Sequence, residues 1–180
     1  INHNATEVFM DGMRVPAENL VGAEGKGFRC ILDGMNAERI LVSHESIGDG
    51  KWFIRTASKY ASERIVFDRP IGQNQAIQHP LAKDWAALEA ANLVAFKAAA
   101  VHEAGGDCGS LANAAKYLAA EAAFSACTNA VMTHGGMGYA KEYHVERYFR
   151  ESMITMIAPV TQQLVLCHIA EKKLGLPRSY

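Results

Sequence analysis

The sequence predicts an all-α fold, an antiparallel four-helix bundle preceded by a short β segment, on three observations. From Gly27 onward apolar residues recur at three- and four-residue steps over long stretches. Strict alternation occurs only before Pro16. The helical stretches are separated by Gly105-Gly106, Gly135-Gly136 and Gly175 followed by Pro177. The 180 residues, 49% hydrophobic and 21% charged with a net charge of −1, suit one globular domain or one domain plus part of another. That apolar content excludes a disordered tail. The balance of 18 basic against 19 acidic residues excludes a polybasic nucleic-acid binder. No uninterrupted apolar run reaches the ~18 residues of a membrane span.

Residues 1–15 alternate like a strand, with Ala5, Glu7, Phe9 and Asp11 on one side and Thr6, Val8, Met10 and Gly12 on the other. One or two strands form no stable sheet alone, so the segment needs partners from elsewhere. The chain opens at Ile1 without an initiator Met, so either a leader has been removed or it is the tail of something longer. Pro16 to Gly27 reads as a connection. Phe28, Ile31, Leu32, Met35, Leu41, Val42, Trp52, Phe53 and Tyr60 define one helix to about Glu63, about 50 Å long. Gly34, Gly48 and Gly50 interrupt it, each at about 1 kcal/mol against Ala, which suggests close approach of a backbone or ligand. Residues 67–73 read as a loop. A second helix spans about Asn74 to Ala104, with Pro80 in its first turns as a potential kink. A third runs from Ser110, a good N-cap, to about His134. The 18 alanines between Ala82 and Ala126 allow these two helices to pack closely. A short helix at 144–152 and a last one from Pro159, a favoured first-turn residue, to Gly175 complete the bundle.

Cys30, Cys108, Cys127 and Cys167 match no zinc or redox motif and read as free thiols, mostly buried, in a reducing compartment. No HExxH, Glu-x-x-His or G-x-S-x-G occurs, so no metal site is expected. Glu38 falls on the stripe set by Ile31, Met35 and Val42. A carboxylate buried there is either ion-paired, for instance with Arg39, or shifted to a higher pKa that suits a general base; Glu45 shares the ambiguity. Arg64-Ile65-Val66-Phe67 followed by Gln75 sets a cation, an aromatic and an amide around a bend, either a solvated helix end or a contact for an anionic cofactor. Gly135-Gly136-Met137-Gly138 lacks a preceding strand and on its own reads as a helix terminus.

Three segments together with the opening one resemble the C-terminal part of the acyl-CoA dehydrogenase family, in that family's order. They are TEVFMDGMRVPAENLVGAEGKGF, ERIVFDRPIGQNQAIQ, THGGMGY and EYHVERYFRE. The resemblance implies an FAD flavoprotein, a homotetramer or homodimer, with residues 1–22 the end of its middle β domain and 27–180 its C-terminal helical bundle. Such an enzyme desaturates an acyl-CoA thioester to a trans-2-enoyl-CoA and passes electrons to an electron-transferring flavoprotein. Carried over by residue, it gives FAD contacts to Arg64, Phe67, Gln75, Gly135, Gly136, Thr161 and Gln163. Three departures stand out: Asp68 where the family usually has Gly, Met132 where a Gln often precedes the glycine pair, and Pro159 where many members carry the catalytic Glu. A subset that includes isovaleryl- and long-chain-type dehydrogenases places the base on the first bundle helix beside an Arg. Ala37-Glu38-Arg39-Ile40-Leu41 fits that pattern, so the resemblance makes Glu38 the base and Arg39 a residue that positions it or the CoA. Pro159 keeps open an acyl-CoA oxidase or a flavin monooxygenase on the same scaffold, and a non-catalytic oligomerisation bundle is the third reading. The expected compartment is the bacterial cytoplasm or the mitochondrial matrix.

Overall fold

A computed structural model describes residues 6–179. The chain divides into two compact units, residues 1–33 and 34–180. The first unit contains no strand among its described residues; residues 1–5 of the expected strand lie outside them. Val8, Phe9 and Met10 stand exposed, because alternation makes a strand only where a neighbour takes its backbone hydrogen bonds. A single 3₁₀ turn at Ala17–Asn19 and the start of the first helix complete this unit.

The second unit is a helical bundle. Helix α1 spans Gly27–Glu63, α2 Gln75–Glu103, α3 Gly109–His134, α4 Val145–Ile157 and α5 Gln162–Leu174. A two-residue hairpin, β1 at Ile65–Val66 and β2 at Arg69–Pro70, joins α1 to α2. Facing residues show that neighbouring helices run antiparallel. Along α1 and α2, His44 meets Phe96, Lys51 pairs with Glu89 at 3.0 Å, and Gly72 lies against Ala61. Trp52 and Phe53 of α1 pack on Tyr148 of α4. Phe124 of α3 meets Phe149 of α4.

The core is rich in small side chains. Phe53 is fully buried against Trp52 and Tyr148, and the same apolar cluster takes in Leu88, Ala91, Ala95 and Ala98 of α2 and Ala112, Ala115, Ala119, Ala126 and Ala130 of α3. Alanine costs no side-chain entropy and keeps helix propensity high, so α2 and α3 pack closely without losing helicity. Gly50 permits the closest crossing: a Cβ there would sit 2.6 Å from Leu88. Gly34 and Gly48, expected to mark similar approaches, have open space around them.

Several boundaries differ from expectation. Pro80 lies inside α2 without ending it. Helix α3 begins one residue before Ser110, where the Asp107 carboxylate accepts from the Gly109 N–H at 3.2 Å. Helix α4 runs on to Ile157, and α5 starts after Thr161, whose hydroxyl accepts from the Leu164 N–H. Capping chemistry, which Pro159 cannot supply, sets that start. The apolar stretch 145–174 is thus broken into two 13-residue helices, each about 20 Å long and short of a ~30 Å bilayer core. Of the four free cysteines, Cys108 and Cys127 are buried and Cys30 is exposed.

Candidate functional site

The residues singled out in the sequence fall into two groups at opposite ends of α1. At its C-terminal end the Arg64 carbonyl accepts from the Ile71 N–H at 2.9 Å, which closes the hairpin. Phe67 and Asp68 form its turn with φ of 52° and 60°, the signature of a type I′ hairpin. Asp tolerates this left-handed region better than most residues, which accounts for Asp68 where the family usually has Gly. A phenylalanine in that conformation is strained, and its ring is 93% exposed. The Arg64 side chain is exposed too, as is Gln75 at the start of α2. Arg69 donates to the Asn74 side chain at 2.9 Å and steadies the hairpin on the helix.

Gly135 and Gly136 lie at the same end. Tyr60, one turn before Arg64, stacks on His134 with centroids 4.3 Å apart, and Tyr143 closes edge-on against both. Gly135 combines φ 58° with ψ −134°, a backbone geometry essentially restricted to glycine. Both glycines are exposed with open space where a Cβ would stand, so a ligand can reach their backbone. Gly138 has a different role: a Cβ there would strike the Val131 carbonyl.

The second group lies on the N-terminal half of α1. Glu38 is exposed rather than buried. The buried stripe of α1 is Ile40, Ser43, Ile47, Gly50, Phe53, Ala57 and Ala61; Glu45 is exposed as well, and Leu41 is 70% exposed. Several sides of this helix carry apolar residues, and the bundle covers only one of them. Arg39 is buried at 6% exposure. It donates to the Asn36 side chain, and its Nε has no partner. Burial draws its guanidinium below the ordinary value, against the opposing fields of Cys108 and Glu38.

Thr161 and Gln163 flank Gln162 at the first turn of α5. Gln163 is exposed and Thr161 half-buried, while Gln162 is buried. The side-chain amide oxygen of Gln162 accepts from the ammonium of Lys116 at 3.1 Å. Lys116 is fully buried; burial pushes its pKa down to about 8, partly opposed by Glu121. Sequence reasoning passed over this lysine, although a lone cation amid Ala114, Ala115, Ala119 and Ala120 was a visible signal. It also passed over Asp84, a buried carboxylate that accepts from Ser125 at 2.6 Å and Asn129 at 2.7 Å and ties α2 to α3.

The antiparallel helical bundle thus carries an exposed cation, an exposed aromatic and an open glycine loop at one end. The sequence pattern of the acyl-CoA dehydrogenase C-terminal domain matches residues 25–174. Over 176 residues, 97% of this chain and 45% of the relative, the chain is 40% identical to acyl-CoA dehydrogenase FadE12 of Mycobacterium tuberculosis. The glutaryl-coenzyme A dehydrogenase–glutaryl-CoA complex superposes with a TM-score of 0.88 at 32% identity, over 95% of this chain and 44% of that one. The FAD complex of PigA does so at 0.84 and 26% identity, over 90% and 42%. The chain belongs to the acyl-CoA dehydrogenase family. It spans about half the length of the curated relatives it matches.

Proposed function

We propose that this chain is the C-terminal helical portion of an FAD-dependent acyl-CoA dehydrogenase subunit, which converts an acyl-CoA thioester to the trans-2-enoyl-CoA. The observation that carries the reading is the shared placement of Arg64, Phe67, Gly135 and Gly136 at one exposed end of the bundle. These residues fit FAD. Arg64 offers a fork of donors to a phosphate, Phe67 a free aromatic face, and the glycine pair an unobstructed backbone. Gln75 adds an exposed amide beside the hairpin, and Thr161 and Gln163 add polar groups at the first turn of α5. When bound, FAD supplies the acceptor for the β-hydride.

Glu38 takes the α-proton. It is exposed on a face of α1 that the bundle leaves uncovered. Closure of that face by the acyl-CoA and the rest of the subunit would exclude water and strengthen the carboxylate as a base. Arg39, anchored beneath it in the bundle, fixes the local helix and sets a positive field beside the reacting carboxylate or the CoA.

Along α1 the Glu38 and Arg64 ends are roughly 40 Å apart at 1.5 Å per residue. One flavin next to Glu38 cannot also meet Arg64, so the two ends serve different cofactor molecules. That favours a homodimer or homotetramer in which the Arg64 end completes a partner's site. An electron-transferring flavoprotein takes the electrons. The free thiols suit the bacterial cytoplasm or the mitochondrial matrix.

The full-length protein should purify yellow, and anaerobic addition of acyl-CoA should bleach the flavin band. A colourless protein would favour a bundle used only for oligomerisation. Pro159, where many relatives carry Glu, favours a second reading, an acyl-CoA oxidase or flavin monooxygenase. Fast reaction of the reduced enzyme with oxygen would select it, and rapid transfer to an electron-transferring flavoprotein would reject it.

A further inference from the structure

Lys116 has no role in the chemistry above, yet its ammonium is fully buried in an alanine-rich helix. Burying a charge is costly, and a well-packed apolar side chain of similar volume is often at least as stable. Its hydrogen bond goes to the side-chain amide oxygen of Gln162. The amide of the same Gln162 donates to the Tyr117 carbonyl and the Glu121 carboxylate of α3, each at 3.4 Å. One side chain of α5 is thus held at both of its polar atoms by residues 116–121 of α3, and its amide also lies 3.7 Å from the Met156 sulfur of α4.

The grip falls on the first turn of α5. Gln162 and Val165 are its buried residues and 167–171 are half-buried, so Gln162 is the buried anchor of the first turn. Successive helical residues point about 100° apart. Pulling Gln162 inward therefore determines where Thr161 and Gln163 project on either side. Gln163 is exposed and Thr161 caps the helix through the Leu164 N–H.

We propose that Lys116 is a positioning residue. Through Gln162 it fixes the rotation of the first turn of α5, and so places Thr161 and Gln163 for the flavin. The proposal rests on the FAD reading above and names a residue outside the cofactor contacts on which they depend.

The test is a double-mutant cycle on the FAD dissociation constant of the full-length protein, followed by flavin fluorescence. It uses Lys116→Met, Thr161→Ala and the pair, with circular dichroism and oligomer mass as controls for folding. Lys116→Met is expected to weaken FAD about tenfold, and Thr161→Ala in that background to add less than about twofold, since coupled sites are non-additive. If Lys116→Met does not fold, Gln162→Ala breaks the same contact from the α5 side and enters the cycle in its place. FAD affinity unchanged in a folded variant, or two effects that simply multiply, would overturn the positioning role while leaving the flavin reading intact. A wild-type protein that binds no FAD would overturn both.

Discussion

Glu38 and Arg39 are adjacent in sequence and opposite in environment, one exposed and one 6% exposed. Arg39 is held in the bundle, and Glu38 faces outward. Lys116 carries the clearest pH signature. Its pKa falls from an ordinary 10.5 to about 8 through burial. Between those values the unfolded chain binds more protons than the folded one, so stability should rise with pH from about 8 to 10.5. The whole effect is about 3 kcal/mol. Lys116→Met should flatten that rise, which urea titrations across the range would show. Phe53→Ala should cost about 3–5 kcal/mol, because removing a fully buried ring leaves a large cavity in the core. Gly138→Ala should destabilise by about 1–3 kcal/mol, since its Cβ meets the rigid Val131 carbonyl rather than a flexible side chain. Chemical denaturation reads both.

Among the elements, the hairpin between α1 and α2 trades stability for exposure. Phe67 occupies a left-handed position that glycine would fill without strain, with its ring outward. Phe67→Gly should therefore leave stability unchanged or raise it by up to about 1 kcal/mol while weakening FAD binding; thermal unfolding and flavin titration separate the two effects. This element was missed in the sequence because two-residue strands are too short to show a period of two. The long helices were legible for the opposite reason. Their apolar periodicity persists over many turns, and their ends coincide with Gly105-Gly106, Gly135 and Gly175. The opening segment shows the limit of pattern: residues 6–15 alternate, but they form no strand without a neighbour to pair with.

At the scale of the whole molecule, helix positions were readable and helix faces were not. Apolar residues occupy several sides of α1, and nothing in the sequence says which side the bundle covers. The stripe through Met35, Glu38 and Val42 was expected inside, whereas Ile40, Ser43, Ile47 and Phe53 line the core. Candidate cofactor residues were found through the order of their motifs; Lys116 and Gln162 were not, because their meaning lies in a contact between α3 and α5. The distance between the two ends of α1 makes shared sites between subunits part of the proposal, so a purified full-length protein should be dimeric or larger by light scattering. The most direct test of the proposed chemistry is anaerobic stopped-flow reduction of that protein by acyl-CoA, with Glu38→Gln beside the wild type. Glu38→Gln should keep its yellow flavin and bleach about 10²–10⁴-fold more slowly. Bleaching at the wild-type rate would show that the base lies elsewhere.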